Sequence, residues 1–153
     1  MFVQVIRGRS ADEAGILSAL ERWETDLRPG ADGFLGSTAG IAKDGQFVLV
    51  VRFVNEEAAR RNSDRDEQGA WWAMIERAFA GPVAFFDSSE VDVSMGGGSD
   101  DAGFVQVLFG RGDREQARQV LAQGEEVLRS ERPDIIGGIT AWHQAGVPQM
   151  MGT

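Results

Sequence analysis

Two hydrophobic periods run through the chain. Phe2-Val3-Gln4-Val5-Ile6 is a short, mostly apolar run of strand type. Ile16, Leu17, Leu20, Trp23 and Leu27 then fall at steps of three and four, which is one stripe of a helix. Ser10 and Glu13 fit a capping box at its start, and Arg28-Pro29-Gly30 ends it. Gly33 to Ala42 reads as a second strand whose glycines suggest bulges or close backbone approach. Asp44-Gly45 carries a hairpin signal, and Phe47 to Val54 is apolar enough for a strand covered on both faces. Asn55 can cap a short helix over Glu56 to Asn62. A longer helix runs from about Glu67 to Ala80, with Trp71, Ile75, Ala78 and Phe79 on one side and Gly81-Pro82 as its stop. Val83 to Phe86 and Val91 to Val93 are short strand candidates, one of which completes the sheet. The order β-α-β-β-α-β is the split βαβ or ferredoxin-like unit.

The opening strand recurs. Phe104-Val105-Gln106-Val107-Leu108 repeats it almost residue for residue, and Gly110-Arg111 follows at the spacing of Gly8-Arg9. Behind it, Ala117, Val120, Leu121, Val127 and Leu128 form a second helical stripe, capped by Asp113 with Gln116 and stopped by Arg132-Pro133. Ile135 to His143 matches the second strand, Ala145-Gly146 the hairpin, and Val147 to Met151 begins a third strand. Gly96-Gly97-Gly98-Ser99-Asp100-Asp101 has no core-forming side chains and reads as a linker. The expected fold is therefore α+β: tandem ferredoxin-like units forming an α+β barrel, the second unit incomplete. Residues 1–95 form the complete unit, 96–102 the glycine-rich linker and 103–153 a partial β-α-β-β copy. By comparison with the first, a whole second copy needs about 45 more residues. The expectation is a truncated chain or a second sheet finished by something else, and the apolar edge of such a sheet favours a homodimer.

Three stretches carry a family resemblance: Phe53-Val54-Asn55-Glu56-Glu57-Ala58-Ala59-Arg60-Arg61, Gln68-Gly69-Ala70-Trp71-Trp72, and Phe79 to Phe86. With the ferredoxin-like order they resemble the antibiotic-biosynthesis-monooxygenase-like members of the dimeric α+β barrel superfamily. More closely, the chain is similar to tandem-repeat proteins of unknown function in that group. The resemblance covers nearly the whole chain as architecture, with diffuse motifs. It implies two ferredoxin-like sheets packed into a barrel, and a small-molecule pocket between each sheet and its helices. Its haem-degrading branch would require an Asn on the first strand and a Trp and a His on the second helix. Here the first strand offers Gln4, and the second helix offers Trp71 or Trp72 without a His. Haem degradation is disfavoured.

Composition narrows the chemistry further. A length of 153 residues and 42% hydrophobic content suffice for a real core, and a formal net charge of −9 repels nucleic acid and anionic lipid. There is no cysteine, hence no thiolate nucleophile, disulfide scaffold or iron–sulfur cluster. No apolar run spans a bilayer and no signal-peptide pattern opens the chain, so it reads as a cytoplasmic protein without nucleic-acid or membrane partners. No residue pattern calls for a cofactor or a metal.

Six residues stand out as ligand-binding candidates. Trp71 and Trp72 are helix neighbours about 100° apart, so one can fill the core while the other faces a cleft; both can also simply pack. Gln4 and Gln106 hold equivalent strand positions amid apolar neighbours, where each either completes a structural hydrogen bond or orients a ligand oxygen. Arg52 can anchor an anionic group or make a surface ion pair. His143 is the single imidazole, at a strand end. Three functions follow: binding a small apolar or aromatic molecule between sheet and helices; cofactor-independent monooxygenation of aromatic or quinone-like substrates, an expectation resting on the family resemblance; and a non-catalytic interaction or assembly module.

Overall fold

The computed structural model describes residues 1–143. The turn expected at Ala145-Gly146 and the strand expected from Val147 lie outside the described residues. The described chain divides into two compact units, Met1–Glu90 with His143, and Val91–Trp142.

The first unit has the expected α+β architecture. Strands β1 (Phe2–Arg9), β2 (Phe34–Ile41), β3 (Gln46–Phe53) and β4 (Ala84–Ser88) make one antiparallel sheet in the order β2-β3-β1-β4. Helix α1 (Glu13–Arg22) follows β1, and α2 (Glu56–Ser63) and α3 (Asp66–Glu76) connect β3 to β4. Of the two strand candidates after α3, the earlier one completes this sheet. The β2–β3 hairpin turns at Gly45, whose φ of +87° suits a residue without Cβ. Gly8 is required for a different reason, since a Cβ there would stand 2.9 Å from the Phe79 ring.

Helix starts follow local polar chemistry. Asn55 Oδ1 accepts from the Ala58 N–H at 2.8 Å, as its position suggests. For α1 the cap is Asp12, which accepts from the Gly15 N–H at 3.0 Å, and not the expected Ser10. The backbone of Ser10 is held instead by Gly45 and by a bridge to Phe79, so Ser10 ends the sheet and does not open the helix. Beyond α1 the chain widens into one π-helical turn, Trp23–Leu27, that keeps both end residues buried. The core joins Ile6, Ile16, Ala19, Trp23, Leu27, Phe47, Leu49, Trp71, Ile75, Phe79 and Phe85 between the sheet and the helices.

The second unit is organised around one carboxylate. Strand β5 (Glu90–Ser94) pairs with β6 (Gly138–Trp142), and α4 (Arg114–Glu131) carries the expected Asp113 cap, which accepts from the Gln116 N–H at 2.9 Å. Asp92 on β5 accepts from Arg118 at 2.7 Å, Arg114 at 3.1 Å and the Trp142 indole at 2.8 Å, tying β5, α4 and β6 together. Gly96, Gly97 and Gly98 all take positive φ, and the backbones of Gly97 and Gly98 approach Gly137 closely. Phe104 to Leu108 differs from its sequence twin β1. It forms no strand, and Phe104 and Leu108 are 82% and 80% exposed. A strand persists through its ladder partners. β1 has two, β3 and β4, whereas 104–108 has none among the described residues. The apolar stripe of α4 is likewise open, with Val120 and Val127 exposed.

No helix among the described residues is long and apolar enough to cross a membrane. No group of three or more His, Cys, Asp or Glu among them could hold a metal ion.

Hydrogen bonds from Arg118 and then Arg114, with Trp142 adding to them, hold the Asp92 carboxyl well below the usual carboxylate range. A depressed carboxylate contributes stability in full above its unfolded pKa and loses it only as pH falls through the folded value. Asp92→Asn should therefore speed amide hydrogen exchange in α4 and β6 at neutral pH and leave Phe2–Arg9 unchanged. The difference from wild type should persist down to the ordinary carboxylate pKa of about 3.9 and fade only in stronger acid.

Candidate functional site

Antiparallel pairing sets the parity of every strand, so one sheet face is fixed once a single pair is known. Gln4 lies opposite Val51 and Asp87, and Ile6 opposite Leu49 and Phe85, on the face that meets the helices. Between this face and the helices lies a cavity of about 470 Å³. Its floor is formed by Gln4, Leu49, Val51 and Phe85; Trp23, Asn62, Gln68 and Trp72 are among the helix-side residues that close over it. Leu17, Glu21, Glu24 and Ser37 are exposed lining residues and mark the mouth. Leu17 belongs to the α1 stripe expected in the core yet is 50% exposed, because that part of the stripe faces this opening.

The two tryptophans divide their roles. Trp71 is 8% exposed and donates its indole N–H to the Ala19 carbonyl at 2.7 Å, which fastens α3 onto α1. Trp72 is only partly buried, stands edge-on to Phe85 with ring centroids 5.0 Å apart, and lines the cavity. Its indole N–H meets no acceptor among the described residues.

Two amides beside it are oriented by partners that can only donate. Trp23 gives its indole N–H to Gln68 Oε1 at 2.7 Å, and Arg65 gives a guanidinium N–H to Asn62 Oδ1 at 2.8 Å. Each amide must turn its oxygen to that partner, which leaves its NH2 for another acceptor. With Trp72, the cavity thus has three side-chain N–H groups with no acceptor assigned to them among the described residues. Gln4 is oriented the opposite way. It donates Nε2 to Asp87 Oδ1 at 2.9 Å, so its carbonyl oxygen is the end left to accept.

The sequence candidates separate accordingly. Gln4, Trp71 and Trp72 line the cavity. Arg52 does not: paired with Val3, it lies on the opposite sheet face, with its guanidinium over Gly36. His143 also lies away from the cavity, its ring edge-on to Phe86 at 5.6 Å and its Nδ1 3.1 Å from the Asp87 carbonyl. Gln106 is exposed in the irregular 104–108 segment. Asn62, Gln68 and Trp23 were not singled out from the sequence. Asn62 had a visible signal, because it follows Ala58 by one helical turn and so puts a polar side chain on the buried stripe of α2. Gln68 had none, since its role depends on an indole contributed by a distant part of the chain.

No family model matches the chain, and no curated protein matches its sequence. Solved structures do match. A protein described as a candidate antibiotic biosynthesis monooxygenase from Caulobacter crescentus is 14% identical with a TM-score of 0.52, over 60% of this chain and 91% of that one. Rv0793 from Mycobacterium tuberculosis is 19% identical with a TM-score of 0.51, over 60% of this chain and 97% of that one. At this identity the likeness is one of fold alone, an α+β fold, and its extent is close to that of the first unit.

Because Trp71 holds two helices together and Trp72 does not, urea denaturation should separate them. Trp71→Phe should cost about 1–3 kcal/mol and Trp72→Phe less than about 1 kcal/mol.

Proposed function

We propose that the first unit binds a small planar aromatic molecule bearing a ring oxygen, held between the sheet and the helices. The cavity beside Trp72 carries this reading. Its volume lies within the usual range for small-molecule sites, its walls are mostly apolar, and its few polar groups are pre-oriented. Trp72 offers a ring edge or face, and the N–H groups of Trp72, Asn62 and Gln68 suit a carbonyl or phenolic oxygen. Neither Arg52 nor His143 takes part.

A second reading, cofactor-independent oxygenation of such a ligand, is favoured by the same three donors and by the description of the Caulobacter neighbour. In an anthrone-like substrate, loss of a ring CH2 proton puts negative charge on the ketone oxygen, where N–H donors stabilise it. The carbanion then passes its electrons to dioxygen, and loss of water from the resulting peroxide leaves a new ring carbonyl. In that chemistry the protein supplies a dry, oriented site.

Titration with 9,10-anthraquinone, read as quenching of tryptophan fluorescence, tests the binding reading. Saturable binding is expected, weakened about tenfold or more by Trp72→Ala and unchanged by Arg52→Ala or His143→Ala. Absence of saturable binding by any ring-oxygen aromatic would overturn it. Oxygen uptake with anthrone should exceed the uncatalysed rate and fall in Asn62→Ala; a rate equal to the uncatalysed one leaves binding alone.

A further inference from the structure

The charges around the cavity are one-sided. Among its lining residues are two carboxylates, Glu21 and Glu24, and no Lys, Arg or His. A third carboxylate, Asp87, stands beside Gln4 on the same sheet face and accepts from its amide. The nearest guanidinium groups are already engaged. Arg28 pairs with Glu24 at 2.6 Å while lying over the Phe34 ring, and Arg65 holds Glu67, the Leu27 carbonyl and Asn62 Oδ1. Arg22 points to the Met74 sulfur. Glu21 has no basic partner among the described residues. With Glu24 offset by Arg28 and Arg65 by Glu67, Glu21 and Asp87 outnumber Arg22, whose charge the neutral Met74 sulfur does not offset, and leave the surroundings of the cavity negative.

We propose that this cavity selects neutral or cationic aromatic molecules and excludes carboxylates. The proposal rests on the reading of the cavity as an aromatic-binding site and adds the charge of its ligand. An anion entering here would lose its hydration, meet donors that are neutral amides and an indole, and face Glu21 at the mouth. A neutral ring oxygen satisfies the same donors without that cost, and an ammonium substituent at the mouth gains from Glu21.

Three probes of one ring size separate the contributions: anthraquinone-2-carboxamide, anthraquinone-2-carboxylate and (anthraquinon-2-yl)methylammonium, titrated into the full chain by tryptophan quenching. The carboxylate should bind about tenfold or more weakly than the amide, and the ammonium at least as tightly as the amide. Glu21→Gln should narrow the gap by strengthening carboxylate binding. Glu24→Gln, which leaves the Arg28 guanidinium without its ion pair, should narrow it too. Glu131→Gln, which removes the same charge outside the cavity lining, should leave the gap unchanged, and Trp72→Ala should weaken all three probes alike. Carboxylate binding as tight as that of the amide would overturn the charge selection while the aromatic site stands. An equal narrowing by Glu131→Gln would overturn it in favour of overall charge. If none of the three probes bound, the aromatic-site reading would fail and the selection with it.

Discussion

The antiparallel register of β1 on β3 is the constraint from which the site follows. Eight consecutive pairs, from Phe2 opposite Phe53 to Arg9 opposite Gln46, commit alternate side chains to opposite faces. A slip of β3 by one residue against β1 would turn Val51 away from the helices and bring Arg52 beneath them. It would put a guanidinium where the cavity now has an apolar floor. The pairing of β4 extends the same parity, setting Phe85 beneath Trp72 and Asp87 beside Gln4. Side chains adjacent in sequence, such as Val51 and Arg52, therefore take unrelated roles.

Above the sheet, donor-only groups play the corresponding part. The indole of Trp23 and the guanidinium of Arg65 have no acceptor atoms, so each determines which end of an amide it meets. The Trp71 indole uses a backbone carbonyl for its own anchor and holds α3 close to α1, which leaves Trp72 at the cavity wall. The polar character of the site is thus specified by neighbours that do not all touch the space themselves.

The second unit shows how far a repeated sequence can carry without its partners. Residues 104–108 match β1 in composition and order, yet only β1 is a strand. The difference lies in ladder hydrogen bonds, which β1 makes on both edges. What holds the second unit is local to it, the carboxylate of Asp92 receiving three donors from one helix and one strand. That contact had no counterpart in the repeat pattern, because the equivalent helix in the first unit is held by apolar packing and by the Trp71 indole on the Ala19 carbonyl, with no carboxylate involved.

By itself the sequence determined the order of the first unit's elements, the Asn55 and Asp113 caps, the Asp44-Gly45 turn and the two-tryptophan candidate pair. These depend on periodicity and on side-chain to backbone bonds spanning a few residues, so they are visible in a local window. The tertiary structure decided which tryptophan fastens two helices through its indole N–H and which stands at the cavity wall with that N–H unassigned among the described residues, that Arg52 and His143 lie on the far side of the sheet, and that Asn62 and Gln68 offer N–H groups. Apart from Asn62, turned by Arg65 three residues on, each of those outcomes depends on a partner more than a helical turn away in sequence or on the parity of a ladder. The Trp23 indole sits 45 positions from Gln68, and the Ala19 carbonyl 52 from Trp71. No local pattern encodes such pairs, because only packing of helices on a registered sheet brings them within hydrogen-bond distance.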